Sequence, residues 1–370
     1  MKLLFIGSRL YDDVDWYVKS KDIESILTES NEDAINLDLP DQLYIVPRGM
    51  EGPKRIAIQQ KVDAIVPLIG IDPPLIDVAH LKEDIESNHN IPVIAADVRA
   101  VELTSNKIKT KEFYNELNIN TPKYQILNNP EDLSLEFPVV LKQGEGQGGK
   151  DIKIAKSLND VEDYFKEFNQ ALCEEFIDGF EISIEVLGFN GQYVPLPPVY
   201  KGRTTIEGTH PLNKIKQGPC MIDGLDNNLV QHVAYKIAKN LDSDGIFEMD
   251  FMYSAEKDKL YAIEVNTRPN GTRYLTTATC GVNSLCELIN MAIGEFSVSK
   301  IFDKMKYFYS TEIPIGNYTG EVKPSVPLKS LVHNDFIVHG PEGYERITIK
   351  ANTKKQLEKL VNELTTYSVK

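Results

Sequence analysis

The sequence predicts a mixed architecture, α/β at its start and α+β after it, on three observations. The chain is 370 residues long, two to three times the usual length of one domain, so several packed units are expected. It opens with short apolar runs that end in turn residues, the pattern of buried parallel strands. Near Ser105 the character changes to a charged helix followed by strands and hairpins.

In order, residues 2–6 read as a first buried strand rather than a secretory leader, because the apolar run is broken by Gly7, Ser8 and Arg9. Val62 to Gly70 and Pro92 to Ala95 read as further strands, with helical stretches between and after them. Residues 1 to about 100 thus form a small Rossmann-like sheet. Gly7-Ser8-Arg9-Leu10 lacks the spaced glycines of a dinucleotide fingerprint. A helix over Asn106–Leu117 ends before Pro122, and a strand over Phe137–Lys142 leads into a glycine loop at 144–149. The strand Asp151–Ala155 follows, then a helix to about Asn169 opened by the S-x-x-D pattern of Ser157 and Asp160. Residues 181–187 alternate and meet the hairpin signal Asn190-Gly191. Residues 200–224 read as a long functional loop, polar and rich in basic groups. A helix from about Asp226 to Leu241 precedes two strands, 245–253 and 259–265. A strand at Arg346–Lys350 and a helix over Thr353–Leu364 make a small α+β cap.

Composition narrows the function. The formal net charge of −15 and pI of about 5.0 would repel a nucleic-acid backbone, so nucleic acid is not an expected partner. No run approaches the roughly 18 apolar residues of a membrane span, so no membrane partner is expected either. Four cysteines, Cys173, Cys220, Cys280 and Cys286, contain no CxxC pair. They read as reduced, buried structural thiols in a cytoplasmic protein, not as nucleophiles.

The loop Gly144-Glu145-Gly146-Gln147-Gly148-Gly149-Lys150-Asp151 satisfies G-x-G-x-x-G and nearly satisfies the P-loop pattern. Both patterns require a helix next, whereas this loop feeds another strand. It is therefore a glycine hairpin, able to lay backbone N–H groups over phosphates with no Cβ in the way. Lys142 stands just before it on an apolar strand, where an amine is costly to bury without an anion, and Lys107 opens the same region. Cys173 to Glu181 runs from an apolar strand through Glu174 and Glu175 to a third acid, Glu181. Two adjacent antiparallel strands would put Asp250, Glu264 and Asn266 on one face, an oxygen-donor trio suited to magnesium. Glu248 shares the face of Asp250 and rivals it as first ligand.

These segments, taken in order from Asn106 to Asn270, resemble the ATP-grasp carboxylate–amine ligases. The resemblance rests on the lysines Lys107 and Lys142, the glycine hairpin, Glu174-Glu175-Phe176-Ile177 with Glu181, and the E-x-N-x-R run from Glu264 to Arg268. It implies an ATP-grasp fold: a pre-ATP-grasp α/β domain (1–103), a region of the small lobe (104–190), a large lobe with the metal site (191–300) and a C-terminal cap (301–370). ATP is then clamped between two lobes. Lys107, Lys142 and the hairpin residues Gly146, Gln147, Gly148 and Gly149 would hold phosphates, Glu174 to Ile177 adenine, and Glu181 ribose. Asp250, Glu264 and Asn266 would hold Mg2+, or Mn2+ in its place. Arg268 would face the transferring phosphoryl group or the acyl intermediate.

The implied reaction activates a carboxylate as an acyl phosphate, which an amine then attacks. The run Asn266 to Arg273 is similar to L-amino-acid ligases that make dipeptides, and the whole chain suggests L-aspartate plus L-methionine as a pair. Arg203 and Lys201 are candidate catalytic cations, while Arg273 and His210 are candidate substrate contacts, beside Arg268. Arg203, Arg268 and Arg273 together suit an acidic or zwitterionic substrate. Small-molecule amino acids and a second copy of the chain are the expected partners. Other ligations of cofactor or modified amino-acid biosynthesis stay open, as does a nucleotide-binding regulator without turnover.

Overall fold

The computed structural model describes residues 1–145, 151–204, 213–315, 331–332, 336–340 and 345–367. Gly146, Gln147, Gly148, Gly149 and His210 lie outside them. Among the described residues the strands form three sheets.

The first sheet holds β1 (Lys2–Ile6), β2 (Glu24–Glu29), β3 (Gln42–Ile45) and β4 (Ala64–Pro67), all parallel in the order β3-β2-β1-β4. Both faces are covered, which is why β1 reads as an unbroken apolar run. Leu4, Ile6, Ile26 and Ile65 pack under the helices Glu51–Gln60 and Leu75–His89. Leu3, Phe5 and Leu27 pack with Leu285, Leu288 and Ile289 of the helix Ser284–Ala292, seating this unit on the rest of the chain. The strand expected at Pro92–Ala95 shrinks to a single parallel bridge, Ile65 to Val93.

The second sheet contains β5 (Tyr124–Leu127), β6 (Val139–Lys142), β7 (Lys153–Ala155) and β8 (Ala171–Glu175), in the order β5-β8-β6-β7. The helix Leu158–Phe165 covers it with Val161 and Tyr164. Its start carries the reciprocal Ser157–Asp160 capping box that the sequence signals.

The third and largest sheet holds β9 (Gly179–Phe189), β10 (Gln192–Pro195), β11 (Val199–Thr204), β12 (Lys216–Gly218), β13 (Gly245–Ser254), β14 (Lys259–Asn266), β15 (Tyr309–Pro314), β16 (Leu331–Val332), β17 (Phe336–His339) and β18 (Arg346–Ala351). Its main path runs β14-β13-β9-β11-β12-β15-β18-β17-β16. One difference from the sequence reading follows. The long loop expected at 200–224 carries two strands, β11 and β12, and the lysines of this segment, Lys201, Lys214 and Lys216, find carboxylate partners and so need no solvent. The tail strands join the central sheet through β12–β15 pairing. The helix Asn227–Leu241 and the helix Lys107–Glu116 pack against β9, β13 and β14 to make the central core.

The chain passes from the second sheet to the third at Phe176–Gly179. Gly179 is required there: a Cβ would sit 2.5 Å from the carbonyl oxygen of Tyr253 on β13. No helix among the described residues is long and apolar enough to cross a membrane.

Candidate active site

Two buried charge clusters and two cavities surround the meeting of these sheets. The first cluster is cationic. Lys142 closes β6, and Lys111 lies on the helix Lys107–Glu116, whose start is capped by the Asn106 side chain. Both ammonium groups reach one carboxylate, Glu174, at 2.9 and 3.0 Å. Lys111 also donates to Thr121 Oγ1 at 2.6 Å, and Thr121 donates in turn to the Ala262 carbonyl. Lys111 is 1% exposed and Glu174 3%, so both are out of bulk water. Burial pushes the Lys111 amine down to about 8 against the pull of Glu174. Burial would raise Glu174, but Lys142 and Lys111 together hold it below its ordinary range. Lys107 lowers likewise on burial, and its backbone N–H donates to Gly144, tying the helix start to the glycine loop.

The Glu174 side chain is turned inward as counter-ion to two lysines. The backbone N–H groups of Glu175 and Phe176 donate to Lys123 and Pro138, and Ile177 packs with Met252 and Tyr261 where the second sheet gives way to the third. Glu175 accepts from the Lys123 backbone. Lys111 was not singled out from the sequence, because only folding brings it beside Glu174.

The second cluster is acidic. The β13–β14 register sets Asp250 opposite Glu264 and Glu248 opposite Asn266, with a bulge just after Asp250. The expected common face forms. Asn266 Nδ2 donates to Glu248 at 2.9 Å and to Glu264 at 3.0 Å, leaving its amide oxygen for another partner. Lys201 on β11 reaches Asp250 at 2.5 Å and Glu248 at 3.9 Å. Ser183 on β9 donates to Glu248 at 2.6 Å. Two carboxylates thus face one ammonium, and Glu264 joins them through Asn266. Burial and the neighbouring Glu248 carboxylate push Asp250 well above its ordinary range. Lys201 and hydrogen bonds hold Glu248 down to about 2, against the cost of burial. Behind them Glu185, opposite Glu248 on β9, is raised to about 7 by burial and by that same carboxylate.

A divalent cation fits this donor set. Asp250 Oδ1 is buried with no hydrogen-bond partner, the excess charge is negative, and the donors are hard oxygens. Among the described residues no group of three or more His, Cys, Asp or Glu side chains is placed to hold a metal by itself. The third donor would be the Asn266 amide or a phosphate oxygen.

Arg268 follows Asn266 and is ion-paired with Asp72, from the loop after β4. Two cavities lie nearby, and Asp72 borders the smaller. The smaller, about 530 Å³, is bordered by Lys107, Glu264, Asn266 and Asp72. The larger, about 720 Å³, lies between the first sheet and Pro269–Tyr274, and Pro73 lines both. Arg273 borders the larger cavity and is braced by Asp13 at 3.2 Å and by the Asn270 carbonyl at 2.9 Å. Arg203 stands apart: it pairs with Asp178 at 3.0 Å, both more than half exposed, and lines neither cavity. Glu181 accepts from Thr204 and from Lys214, whose amine lies at 2.5 Å. The four cysteines are buried and free, each thiol pushed up to about 12 by burial, which leaves no reactive thiolate at neutral pH.

Residues 104–272 match the family description ATP-grasp domain. A protein of Methanobrevibacter smithii named carbamoyl-phosphate synthase is 70% identical over 367 residues, covering 98% of this chain and 100% of that one. The chain belongs to the ATP-grasp family. The carbamoyl phosphate synthase large chain of Caldanaerobacter subterraneus subsp. tengcongensis is 22% identical over 294 residues. That match covers 76% of this ATP-grasp chain and only 27% of the large chain. Solved structures share the fold at low identity. Biotin carboxylase from Campylobacter jejuni, in a β,γ-ATP complex, aligns with a TM-score of 0.76 at 19% identity, over 96% of this chain and 88% of that one. The biotin carboxylase domain dimer of Hydrogenobacter thermophilus 2-oxoglutarate carboxylase, with MgADP and bicarbonate, gives 0.75 at 21%, over 95% and 86%. L-amino acid ligase from Bacillus licheniformis gives 0.74 at 19%, over 99% and 97%.

Proposed function

We propose that this ATP-grasp chain is an ATP- and magnesium-dependent ligase that couples the carboxylate of one L-amino acid to the amine of another, releasing ADP and phosphate. The observation that carries the reading is the cavity of about 720 Å³ beside Pro269, next in the chain to Arg268. It lies within the usual range for a small-molecule site, roughly 300–1,000 Å³. Its apolar Leu10, Met50 and Ile71 alternate with Arg9, Asp77 and Arg273, a lining suited to amino-acid side chains and their charged ends.

In this reading ATP lies with its phosphates between the cationic and the acidic cluster. Lys107 and Lys142 neutralise phosphate oxygens, and Glu174, braced by Lys111, fixes where Lys142 points. Asp250, Glu264 and Asn266 hold Mg2+, which draws charge from the γ-phosphoryl oxygens when bound. Lys201 keeps Asp250 oriented toward it. A carboxylate oxygen attacks the γ-phosphorus, the bond to ADP breaks, and an acyl phosphate results. Arg268, steadied by Asp72, stabilises the charge of that transfer. The incoming amine, having lost a proton, attacks the acyl carbon and phosphate departs with the electron pair of the broken C–O bond. A homodimer is part of the proposal, in line with the domain dimer of the carboxylase relative.

The 70% identical relative favours a second reading, carbamoyl phosphate synthesis. That product retains a phosphate after an amine has displaced the first, so it demands two phosphoryl transfers from ATP, one to bicarbonate and one to the carbamate. One ATP-grasp match in 370 residues supplies a single such site per chain. An amino acid labelled with 18O in its carboxylate tests the chemistry. One label in the released phosphate is expected, whereas unlabelled phosphate would rule out the acyl phosphate.

A further inference from the structure

The larger cavity holds charges to which the ligase reading assigns no particular substrate group. All four strands of the first sheet are parallel, so their carboxyl ends lie at one edge, and the order reverses between β1 and β4. Open α/β sheets bind ligands in the crevice at such a point. The loops leaving these strands, Gly7 to Leu10, Val46 to Met50 and Leu68 to Gly70 among them, line the cavity here. Gly7 makes the turn at φ +92°, with the Leu68 carbonyl 3.3 Å from where a Cβ would stand.

Most charges in the lining are already satisfied. Glu29 accepts from the Ser8 backbone at 3.0 Å, the Ser8 hydroxyl at 2.9 Å and the Ser30 and Asn31 backbones at 2.7 and 3.2 Å. Arg273 is paired with Asp13, and Arg346 with Glu312 at 3.0 Å. His339 stacks on Tyr274 at 4.2 Å between centroids and is held to about 3 by burial, so it adds no positive charge at neutral pH. Two guanidinium groups remain. Arg9 and Arg48 line the cavity, and among the described residues neither has a carboxylate within ion-pair distance. Arg9 also feels the Arg273 guanidinium, which together with burial lowers its pKa. Unpaired guanidinium groups facing one concave space favour an anion there. Asp77 borders the same space and has no ion-pair partner among the described residues.

We infer that this cavity selects a carboxylate substrate carrying a second anionic group, held by Arg9 and Arg48 while the reacting carboxylate points past Pro73 toward Arg268. The α-ammonium of such a substrate has Asp77 as its counter-charge. The inference deepens the ligase reading and rests on it for the fate of the reacting carboxylate. The second anion can be a carboxylate or a phosphate, since a guanidinium fork accepts either.

Calorimetric titration of the full chain with its nucleotide site filled by MgADP tests this with probes that differ in charge alone. The pairs are L-aspartate against L-asparagine, L-glutamate against L-glutamine, and O-phospho-L-serine against L-serine. At least one charged member should bind about tenfold more tightly than its neutral partner, the difference one charge-assisted hydrogen bond makes. The preferred pair tells carboxylate from phosphate. Arg9→Ala and Arg48→Ala should each reduce the preference, and Arg48→Lys should restore part of it, with MgADP affinity unchanged. Both residues reach the surface and lie outside the apolar core clusters, so the variants should fold. Equal affinity within every pair, or a preference that survives in the double variant, would overturn the inference. Charged-probe binding with no ADP released from ATP by any amine would leave this anion site standing and remove the ligase reading.

Discussion

The two buried charge clusters are unbalanced in opposite senses. Around Glu174 two lysines, Lys111 and Lys142, face one carboxylate. Around Lys201 two carboxylates, Glu248 and Asp250, face one ammonium. A structural ion pair would be expected to balance, because uncompensated buried charge is expensive. The contrast teaches that neither cluster is complete alone. One lacks an anion and the other a cation, and a magnesium-bound polyphosphate supplies both. The cluster around Glu312 carries a cationic excess too, with Lys216 and Arg346 beside the neutral His339 on one fully buried carboxylate that is held down to about 2, so imbalance alone does not mark a nucleotide site. It borders the cavity through Arg346 and His339 and reads as scaffolding for that wall.

Breaking the acidic cluster should have the largest effect. Asp250→Asn or Glu264→Gln should lower ADP formation by more than the roughly 10–100-fold that loss of an outer-shell partner costs. The circular dichroism spectrum should stay unchanged, and near-normal turnover would remove these residues from the metal site. Breaking the cationic cluster should instead show first in stability. Glu174→Gln leaves Lys111 and Lys142 buried without a counter-charge, which should cost about 3–5 kcal/mol in denaturant unfolding. Saturating MgATP should recover part of that loss, an outcome that separates a nucleotide-facing cluster from scaffolding. Glu312→Gln should cost a similar amount with no recovery by nucleotide.

A smaller effect tests the acidic side by pH. Glu185 titrates near 7 in the folded chain, above the ordinary carboxyl range. Between about 4.5 and 7 the folded state therefore holds a proton that the unfolded state has released. Glu185 thus lowers stability as pH rises through this window, by roughly 3 kcal/mol in total. Glu185→Gln should flatten that part of the stability profile in metal-free protein, and an unchanged slope would contradict the assignment. The smallest effect belongs to Arg203. Its exposed pair with Asp178 should contribute less than about 1 kcal/mol, so Arg203→Ala should barely alter unfolding. A large rise in KM for ATP would instead give it the phosphate role that its sequence position suggests.

How legible each region was follows from where its partners lie in the chain. The Asp250–Glu264 face could be read from the sequence because two neighbouring strands carry it, and alternation fixes which side chains share a face. The first strand, the Ser157 cap and the helix Asn227–Leu241 were legible for the same local reason. Arg268 was visible in its motif, yet its partner Asp72 lies 196 residues away, and no spacing links the two. Lys111 and Glu312 were equally hidden, since a lysine or glutamate in a mixed segment reads as a solvated face until packing encloses it. Arg9 was seen only as the residue that breaks the first strand. The segment 200–224 misled because strands with buried, paired lysines lack the apolar alternation that marks a half-buried strand.

The most direct test of the central claim is ATP-dependent ADP release with magnesium against all pairs of the twenty L-amino acids, with bicarbonate plus ammonia as a separate arm. Every active mixture would be read by mass spectrometry. The account predicts a condensed dipeptide formed with one ADP per bond. Carbamoyl phosphate from the bicarbonate arm, with every amino-acid pair silent, would contradict it.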